Sequence, residues 1–316
     1  MTRTAVIIEP GYADYSHERD ILGRLGLGLK PVDGAGDRTA LKSALSEAEI
    51  VFVRDTVLDA ELIDAMTQAK GIVRYGIGVD TIDLDAAKAK GLVVARVNDY
   101  GADIEVADHT VALLLAAQRR IVSRDRDVRA GAWQVGQKEP IRRIAGSTMG
   151  FLGFGRIARS VAERMSGFGV TDFIAHDPYL GDAPDGVRLV SLEELAAQAD
   201  LLSLHAPATD ANRGIIGAEF LSRMKPHAIL VNTARGPLID ETALHKALEE
   251  ERLRGAALDV FAIEPPVGNP LLSLDRVVIS DHSAWYSEAT VAAIQSGAAR
   301  EAKLILETGD AEHRIV

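Results

Sequence analysis

Short apolar runs alternate with amphipathic segments along the first hundred residues. The runs at 5–8, 50–53, 71–74 and 92–95 are rich in β-branched residues and predict strands. The segments 59–69 and 84–90 have the apolar spacing of helices. Alternating strands and helices predict a parallel sheet with helices on its faces.

The same alternation returns in the second half of the chain. Residues 103–120 are rich in alanine and leucine and predict a helix that joins two lobes, while the polar stretch 124–145 around Trp133 predicts a surface connection. Ser191 and Glu194 form a predicted capping box at the start of a helix. Further helices are predicted at 241–249 and 288–308, and strands at 172–176, 200–204, 228–232, 256–260 and 277–280, with another short apolar strand at the start of the stretch 146–159.

A glycine turn follows the first strand of this second half. Residues 153–158 read Gly-Phe-Gly-Arg-Ile-Ala and match the G-x-G-x-x-G/A pattern of dinucleotide-binding proteins. Asp177 ends the next strand, 177 − 155 = 22 residues after the second glycine, near the ~20 expected of a ribose-binding acid. Such an acid would repel a 2′-phosphate, so the pattern favours NAD over NADP. The alternative is a solvated turn aspartate before Pro178.

Composition narrows the function classes. At 316 residues the chain exceeds one typical domain of ~100–200 residues, which predicts two domains. The net charge of −11 argues against nucleic-acid and anionic-membrane partners. The chain has no cysteine, and its apolar run at 111–117 is far shorter than the ~18 residues of a membrane span. We therefore expect a soluble, cytoplasmic protein. The histidine spacing gives no ligand pattern, so we expect no metal site.

Three polar residues in the second half each follow a predicted strand: Arg235, Glu264 and His282. Reduction of a 2-keto acid requires a cation for the carboxylate and carbonyl oxygens and a proton donor with a pKa near neutrality. Arginine and histidine supply these groups, and a glutamate can orient the histidine ring. Spacing alone does not bring the three together, and a strand-end histidine can equally be a structural residue.

These residues belong to a set of motifs that resembles the D-isomer-specific 2-hydroxyacid dehydrogenase family along nearly the whole chain. Within the family, Val73-Arg74 and residues 282–288 are most similar to the C-terminal-binding-protein branch, whose animal members are NAD-sensing corepressors. The motifs are Tyr75-Gly-Ile-Gly-Val-Asp-Thr-Ile-Asp83, Ala107-Asp-His109, residues 153–158, Asp177-Pro-Tyr179, His205-Ala-Pro207, residues 232–236, Ala257-Leu-Asp-Val-Phe261, Glu264-Pro265 and His282-Ser-Ala284.

The resemblance implies roles for the matching residues. Arg235 would bind and polarise the 2-keto acid, His282 would be the acid/base, and Glu264 would be its partner. Ile77 and Gly78 would offer backbone N–H groups to the substrate carboxylate with help from Arg74. Trp285 would flank the substrate side chain, although a packing role is equally expected. The cofactor-binding set would be Thr110, Gly153, Gly155, Arg156, Ile157, Asp177, His205, Pro207, Thr233, Ala234, Asp259, His282 and Ala284.

The resemblance also implies a domain division. A flavodoxin-like substrate domain of residues 1–98 and 287–316 would receive an inserted Rossmann NAD domain of residues 99–286. Both would be doubly wound α/β domains, with the reaction in a cleft between them. A homodimer through the NAD domain would be expected. The alternative function is an NAD(H)-responsive, corepressor-like interaction protein with little turnover. One departure stands out: Asp281 occupies a position where most relatives have proline.

Overall fold

The computed structural model describes residues 3–8, 11–34, 36–133 and 140–316. The chain divides into two compact units, one of Met1–Ala102 with Ser287–Val316 and the other of Asp103–Tyr286. The first break falls four residues after the predicted boundary at 98, and the second coincides with the predicted boundary at 286.

The first unit has a five-stranded parallel sheet in the order β2-β1-β3-β4-β5. This is the flavodoxin-like order, as predicted. Asp59 and Asp83 cap the N-termini of two of its helices by accepting backbone N–H bonds. Its elements are β1 (Arg3–Ile8), α1 (Ser16–Gly23), β2 (Leu27–Val32), α2 (Arg38–Ser46), β3 (Ala48–Val53), α3 (Ala60–Asp64), β4 (Gly71–Arg74), α4 (Leu84–Ala89), β5 (Val93–Arg96) and α11 (Glu288–Thr308).

The C-terminal helix α11 packs on the sheet of the first unit through small residues. A Cβ at Gly297 would lie 2.6 Å from Cγ1 of Val97, so glycine permits the close approach. Beyond the helix, Arg314 forms an antiparallel bridge with Ala95. The terminal segment is thus integrated into the first unit.

The second unit has a seven-stranded parallel sheet in the order β12-β11-β10-β9-β6-β7-β8. Counted from β6, this is the Rossmann order 3-2-1-4-5-6 with one additional strand. Its elements are α5 (Ala102–Arg119), α6 (Ile121–Arg129), β6 (Thr148–Leu152), α7 (Arg156–Ser166), β7 (Asp172–His176), β8 (Val187–Leu189), α8 (Leu192–Gln198), β9 (Leu201–Leu204), α9 (Ala218–Arg223), β10 (Ile229–Asn232), α10 (Glu241–Glu249), β11 (Gly255–Leu258) and β12 (Val277–Ile279).

Alternate residues of these strands face two apolar cores, one on each side of the sheet. The predicted capping box at Ser191 and Glu194 is present. The predicted surface connection at 124–145 begins within α6, which ends at Arg129 and has no buried residue; residues 134–139 lie outside the described residues. The carboxyl ends of the parallel strands form one edge of the sheet, and the candidate site residues of this unit are found there.

Candidate active site

The glycine turn lies between β6 and α7. Gly153 has a φ of +82°, and a Cβ there would lie 2.9 Å from the backbone N of Ala206. Gly155 is the N-cap residue of α7, and no described atom lies within 4 Å of the position its Cβ would take. The turn therefore needs a glycine at 153 for packing and leaves open space at 155, as a cradle for a pyrophosphate requires.

The first turn of α7 supplies the donors of this cradle. Arg156 and Ile157 are its first residues, and the leading N–H groups of an α-helix have no partner within the helix. The helix dipole adds partial positive charge at this end. Ala158 is fully buried and permits close packing of α7 on the sheet. The donor set therefore fits the phosphates of a dinucleotide.

Asp177 is adjacent to the glycine turn because β7 pairs in register with β6, with His176 opposite Leu152. Its Oδ2 accepts a hydrogen bond from the backbone N of Phe154 at 2.9 Å, and Oδ1 accepts one from the backbone N of Tyr179 at 3.0 Å. The carboxylate is thus fixed beside the turn rather than solvated at random. Each oxygen retains acceptor capacity for a ribose hydroxyl.

His205 follows β9 on the other side of the turn. Its Nε2 lies 2.7 Å from Oγ of Ser203, and its ring centroid lies 6.0 Å from that of Phe151. Burial lowers the pKa of His205 to about 3, so the ring is neutral at physiological pH. Pro207, two residues on, is exposed and accepts a hydrogen bond from Asn212 through its carbonyl oxygen.

The loop after β10 is shaped by the buried side chain of Asn232. Its Oδ1 accepts from the backbone N of Ala234 at 3.0 Å, and its Nδ2 donates to the carbonyl oxygen of Arg235 at 2.9 Å.

Thr110 on α5 contacts the same loop through Thr233. Thr110 donates its hydroxyl proton to the carbonyl oxygen of Val106 at 2.6 Å. The hydroxyl of Thr233, 2.7 Å away, is therefore the donor in the bond between the two threonines.

Gly236 joins this loop to the next one. A Cβ at this position would overlap the backbone carbonyl group of Phe261, so any side chain would push the two loops apart. The preceding residue, Arg235, is half-buried and donates from Nη1 to the carbonyl oxygen of Ala234 at 2.8 Å. The pKa of His282 is raised overall, mainly by its hydrogen bond to Glu264, and the charge of Arg235 makes a smaller opposing contribution.

Asp259 anchors the loop that carries His282. Its buried carboxylate accepts from the hydroxyl of Ser280 at 2.6 Å and from the backbone N of Ser283 and Ala284 at 3.0 and 3.1 Å. Its own carbonyl oxygen accepts from the backbone N of His282 at 2.8 Å. These bonds hold His282 at a φ of +56°, a conformation that is unfavourable for a residue with a side chain.

His282 and Glu264 form a close pair. Nδ1 of His282 lies 2.6 Å from Oε2 of Glu264, whose Oε1 accepts from the backbone N of Phe261 at 2.9 Å. The hydrogen bond to Glu264 raises the pKa of His282 above its ordinary value, and the charge of Asp259 adds to the effect. The His282 side chain is 44% exposed, so the ring is accessible. The arrangement is an imidazole poised to exchange a proton.

Asp281, which stands where most relatives have proline, is the exposed residue that precedes His282. The hydrogen bond with Ser283 lowers the pKa of Asp281 itself, with a further contribution from the charge of His109. A residue that sequence reasoning had not assigned thus also reaches this loop: Nε2 of His109 lies 2.9 Å from Oγ of Ser280. The only signal for it was the Ala107-Asp-His109 motif.

Trp285 follows this loop and is half-buried, with its ring edge-to-face with Tyr286 at 5.8 Å. Arg74, Ile77 and Gly78 belong to the first unit. There, Nη1 of Arg74 donates to the carbonyl oxygen of Tyr75 at 2.6 Å, and Arg96 donates to the carbonyl oxygen of Ile77 at 3.2 Å.

One group of described residues has metal-ligand spacing: Glu301, Glu312 and His313 in the first unit. Both oxygens of Glu301 already accept bonds from the backbone N of residues 312 and 313, and Oε1 also binds the His313 ring. This carboxylate therefore fastens the C-terminal segment. None of the described helices has the length and apolar character needed to cross a membrane.

The fold and this site define a dinucleotide-binding α/β protein with an acid/base pair at the cofactor edge of its sheet. Residues 111–284 match the family model described as D-isomer specific 2-hydroxyacid dehydrogenase, NAD binding domain. The chain belongs to the D-isomer-specific 2-hydroxyacid dehydrogenase family, and its cofactor is NAD.

Named relatives share this family. The chain is 43% identical over 256 residues to D-3-phosphoglycerate dehydrogenase of Mycobacterium leprae. The matched region is 79% of this chain and 48% of that protein. The chain is 42% identical over 243 residues to glyoxylate reductase of Korarchaeum cryptofilum, covering 74% and 72%. The TT0316 protein of Thermus thermophilus has a similar structure, with a TM-score of 0.89, 33% identity and coverage of 99% and 100%. The chain spans about half the length of the phosphoglycerate dehydrogenases it matches.

Proposed function

We propose that this protein is an NAD-dependent oxidoreductase that interconverts a small 2-keto acid and the corresponding D-2-hydroxy acid. The observation that carries the proposal is the 2.6 Å pair of His282 Nδ1 and Glu264 Oε2 beside the charge of Arg235, within an NAD-binding domain. Names of relatives, among them glyoxylate reductase and glycerate dehydrogenase, support the same chemistry.

Bound NAD supplies or accepts the hydride. In the reducing direction, His282 gives a proton from Nε2 to the carbonyl oxygen of the substrate, and the Glu264 carboxylate stabilises the imidazolium before transfer. In the oxidising direction the neutral ring takes the proton back. The guanidinium of Arg235 holds the substrate carboxylate and stabilises the negative charge that develops on the carbonyl oxygen.

We assign substrate contacts to Arg74, Ile77, Gly78 and Trp285. Support in the first unit is local: arginine side chains bind the carbonyl oxygens of Tyr75 and Ile77, and a trans peptide directs the next N–H group away from each of them. The proposed phosphate contacts of NAD are Gly153, Gly155, Arg156 and Ile157, and the proposed ribose contact is Asp177. His205 and Pro207 would contact the adenosine. The contacts of the nicotinamide end would be Thr110, Thr233, Ala234, Asp259, His282 and Ala284.

We also propose that Asp259 binds the nicotinamide carboxamide of the cofactor. Its Oδ1 already accepts two hydrogen bonds and its Oδ2 accepts one, so Oδ2 is the oxygen with a remaining position for the nicotinamide carboxamide. The same carboxylate would then hold the cofactor and the His282 loop. Loss of Asp259 would therefore impair both.

We further propose a cytoplasmic homodimer that associates through the second unit. Support for association comes from large apolar side chains exposed on and just after α6: Ile121, Val122, Val128 and Trp133, the last 85% exposed. No comparison favours the alternative of a corepressor-like protein with little turnover, and the intact proton-transfer pair supports an enzyme.

A screen of NADH oxidation tests the proposed activity. The panel is glyoxylate, hydroxypyruvate, pyruvate and longer or aromatic 2-keto acids, with pure D- and L-2-hydroxy acids for the reverse direction. We expect turnover of at least one 2-keto acid and oxidation of the D enantiomer. No turnover of any compound, by a chain that still binds NADH, would support the interaction-protein alternative.

A further inference from the structure

A buried polar cluster lies in the first unit, remote in sequence from the proton-transfer pair. The side chain of Glu18 on α1 is fully buried, and Tyr75 and Gln295 are 2% and 4% exposed. Tyr75 donates its hydroxyl proton to Oε1 of Glu18 at 2.7 Å, and Nε2 of Gln295 donates to Oε2 at 3.2 Å. Gln295 also donates to the carbonyl oxygen of Asp14 at 2.7 Å. We call Glu18, Tyr75 and Gln295 the Glu18 cluster.

Packing alone does not explain a carboxyl group at this position. Burial raises the pKa of Glu18 above its ordinary value, which shows that the ionised carboxylate is disfavoured there. An apolar side chain would fill the space without this desolvation cost. What a carboxyl group provides, and an apolar group does not, is a directed hydrogen bond that fixes the Tyr75 hydroxyl.

The ring of Tyr75 is fixed as well. It stacks on Phe52 with centroids 5.4 Å apart, and it meets the ring of Tyr12 edge-on at 5.3 Å. With its hydroxyl bonded to Glu18 and its ring packed on two aromatic neighbours, the Tyr75 side chain is held at both ends. Its Cα is the first of the 75–78 loop, so the cluster fixes where that loop begins.

The rest of the loop is held through its carbonyl oxygens. Arg74 binds the oxygen of Tyr75, and Arg96 binds the oxygen of Ile77. In a trans peptide the N–H of the following residue points away from the carbonyl oxygen. The amides of Gly76 and Gly78 are therefore directed away from the two guanidinium groups. Gly76 has a φ of +114° and its Cβ would overlap Nη1 of Arg74, so the loop follows a path that only glycine permits.

We propose that Glu18 is a positioning residue for substrate binding: through the hydroxyl of Tyr75 it presets the 75–78 loop, whose amides bind the carboxylate of the 2-keto acid. The effect on substrate binding rests on the proposed function, whereas the effect of Glu18 on the conformation of the loop does not. Removal of the Tyr75 hydroxyl should loosen the loop and weaken substrate binding, while proton transfer by His282 and binding of NADH stay as they are.

Hydrogen–deuterium exchange tests the structural part without any assay of activity. In Tyr75→Phe, which keeps the ring, the backbone N–H of residue 75, which donates to the carbonyl oxygen of Val53 at 2.9 Å, should exchange faster than in the wild type. Glu18→Leu should have the same effect, and Glu18→Gln, which keeps an acceptor for Tyr75, should remain near the wild type. The matched control is Glu301→Gln, a buried carboxyl on α11 whose bonds, among the described residues, go to the C-terminal segment. Unchanged exchange in Tyr75→Phe and Glu18→Leu would overturn the proposal, whatever the activity.

Steady-state kinetics test the consequence. For the best 2-keto acid, Tyr75→Phe should raise KM about tenfold, which corresponds to about 1.4 kcal/mol of weaker binding and is the order of one net hydrogen bond. Its kcat should stay within about twofold, and the KM for NADH and the pH profile should not move. Glu301→Gln should lower the melting temperature without changing KM. Faster exchange with an unchanged KM would refute the role in substrate binding. A wild type without turnover would refute the proposed function and this role, while the exchange data would still decide whether Glu18 holds the loop.

Discussion

Nδ1 of His282 lies 2.6 Å from Oε2 of Glu264. His282 has a positive φ and lies on a loop that is hydrogen-bonded to Asp259. The bond to the carboxylate puts the ring proton on Nδ1 and raises the pKa of the imidazole. The same bond thus sets both the tautomer and the protonation of the residue that transfers the proton.

The pH profile follows from this pair. The reducing direction needs protonated His282, so kcat/KM for the 2-keto acid should fall as the pH rises through the raised pKa. Glu264→Gln removes the charge that raises the pKa, so the falling limb should move to lower pH. The profile is measured by NADH oxidation across the pH range. His245→Gln, which disrupts a His–Glu pair on α10, is the matched control and should leave the limb in place.

The raised pKa of His282 also determines how the stability of the folded protein depends on pH. Because the folded pKa of His282 is raised, the pair's contribution is fully present below the ordinary value of 6.5 and is lost as the pH rises through the folded pKa. Stability differences between the wild type and Glu264→Gln should therefore be largest on the acid side. A larger difference at alkaline pH would contradict the assignment.

His205 should not contribute to the pH profile. Its pKa of about 3 keeps the ring neutral over the working range. His205→Asn is expected to alter the KM for NADH and to leave the falling limb of the reduction profile where it is in the wild type. If the falling limb of the pH profile moves in His205→Asn in the same assay, His282 is not the proton donor that sets this limb.

Gly236→Ala should separate the loops that carry Arg235 and Glu264. The added methyl group overlaps the carbonyl group of Phe261, and overpacking of this kind costs about 1–3 kcal/mol. We expect a lower melting temperature and a loss of kcat in the same variant. Gly181→Ala, where no described atom lies within 4 Å of the new methyl group, is the control and should change neither quantity.

Asp177→Asn should weaken the preference for NADH over NADPH. The carboxylate sits beside the glycine turn through its bond from Phe154, and loss of its charge removes both the attraction for ribose hydroxyls and the repulsion of a 2′-phosphate. The ratio of kcat/KM for the two cofactors should fall by roughly tenfold or more. Asp182→Asn, in an exposed part of the same connection, serves as the charge-matched control. An unchanged ratio in Asp177→Asn would remove Asp177 from the ribose site.

The fold was predictable where strands and helices bury one continuous apolar face. The bounds of β4, β7, α10 and α11 agree with the predictions. The edge strand β2 was missed because Gly28 and Pro31 interrupt its apolar pattern, and β8 because it has only three residues. Helix α1 was missed because one of its buried positions is Glu18, a polar residue that hides the helical periodicity.

The site was predictable only as a set of strand-end residues. Nothing in the spacing of Arg235, Glu264 and His282 gives the distance between them, because that distance depends on the backbone approach at Gly236 and on the bonds that Asp259 makes with residues 280–284. The anchoring role of Asp259 and the contact of His109 with Ser280 have no signature in residue type or spacing. They emerge only from the packed loops.

The most direct test of the central claim is the reduction rate of His282→Gln with the best 2-keto acid, alongside His245→Gln. We predict a fall of about 10²–10⁴ in kcat for His282→Gln, with NADH binding retained and wild-type rates in the control. A kcat for His282→Gln within a few-fold of the wild type would contradict the assignment of His282 as the group that transfers the proton.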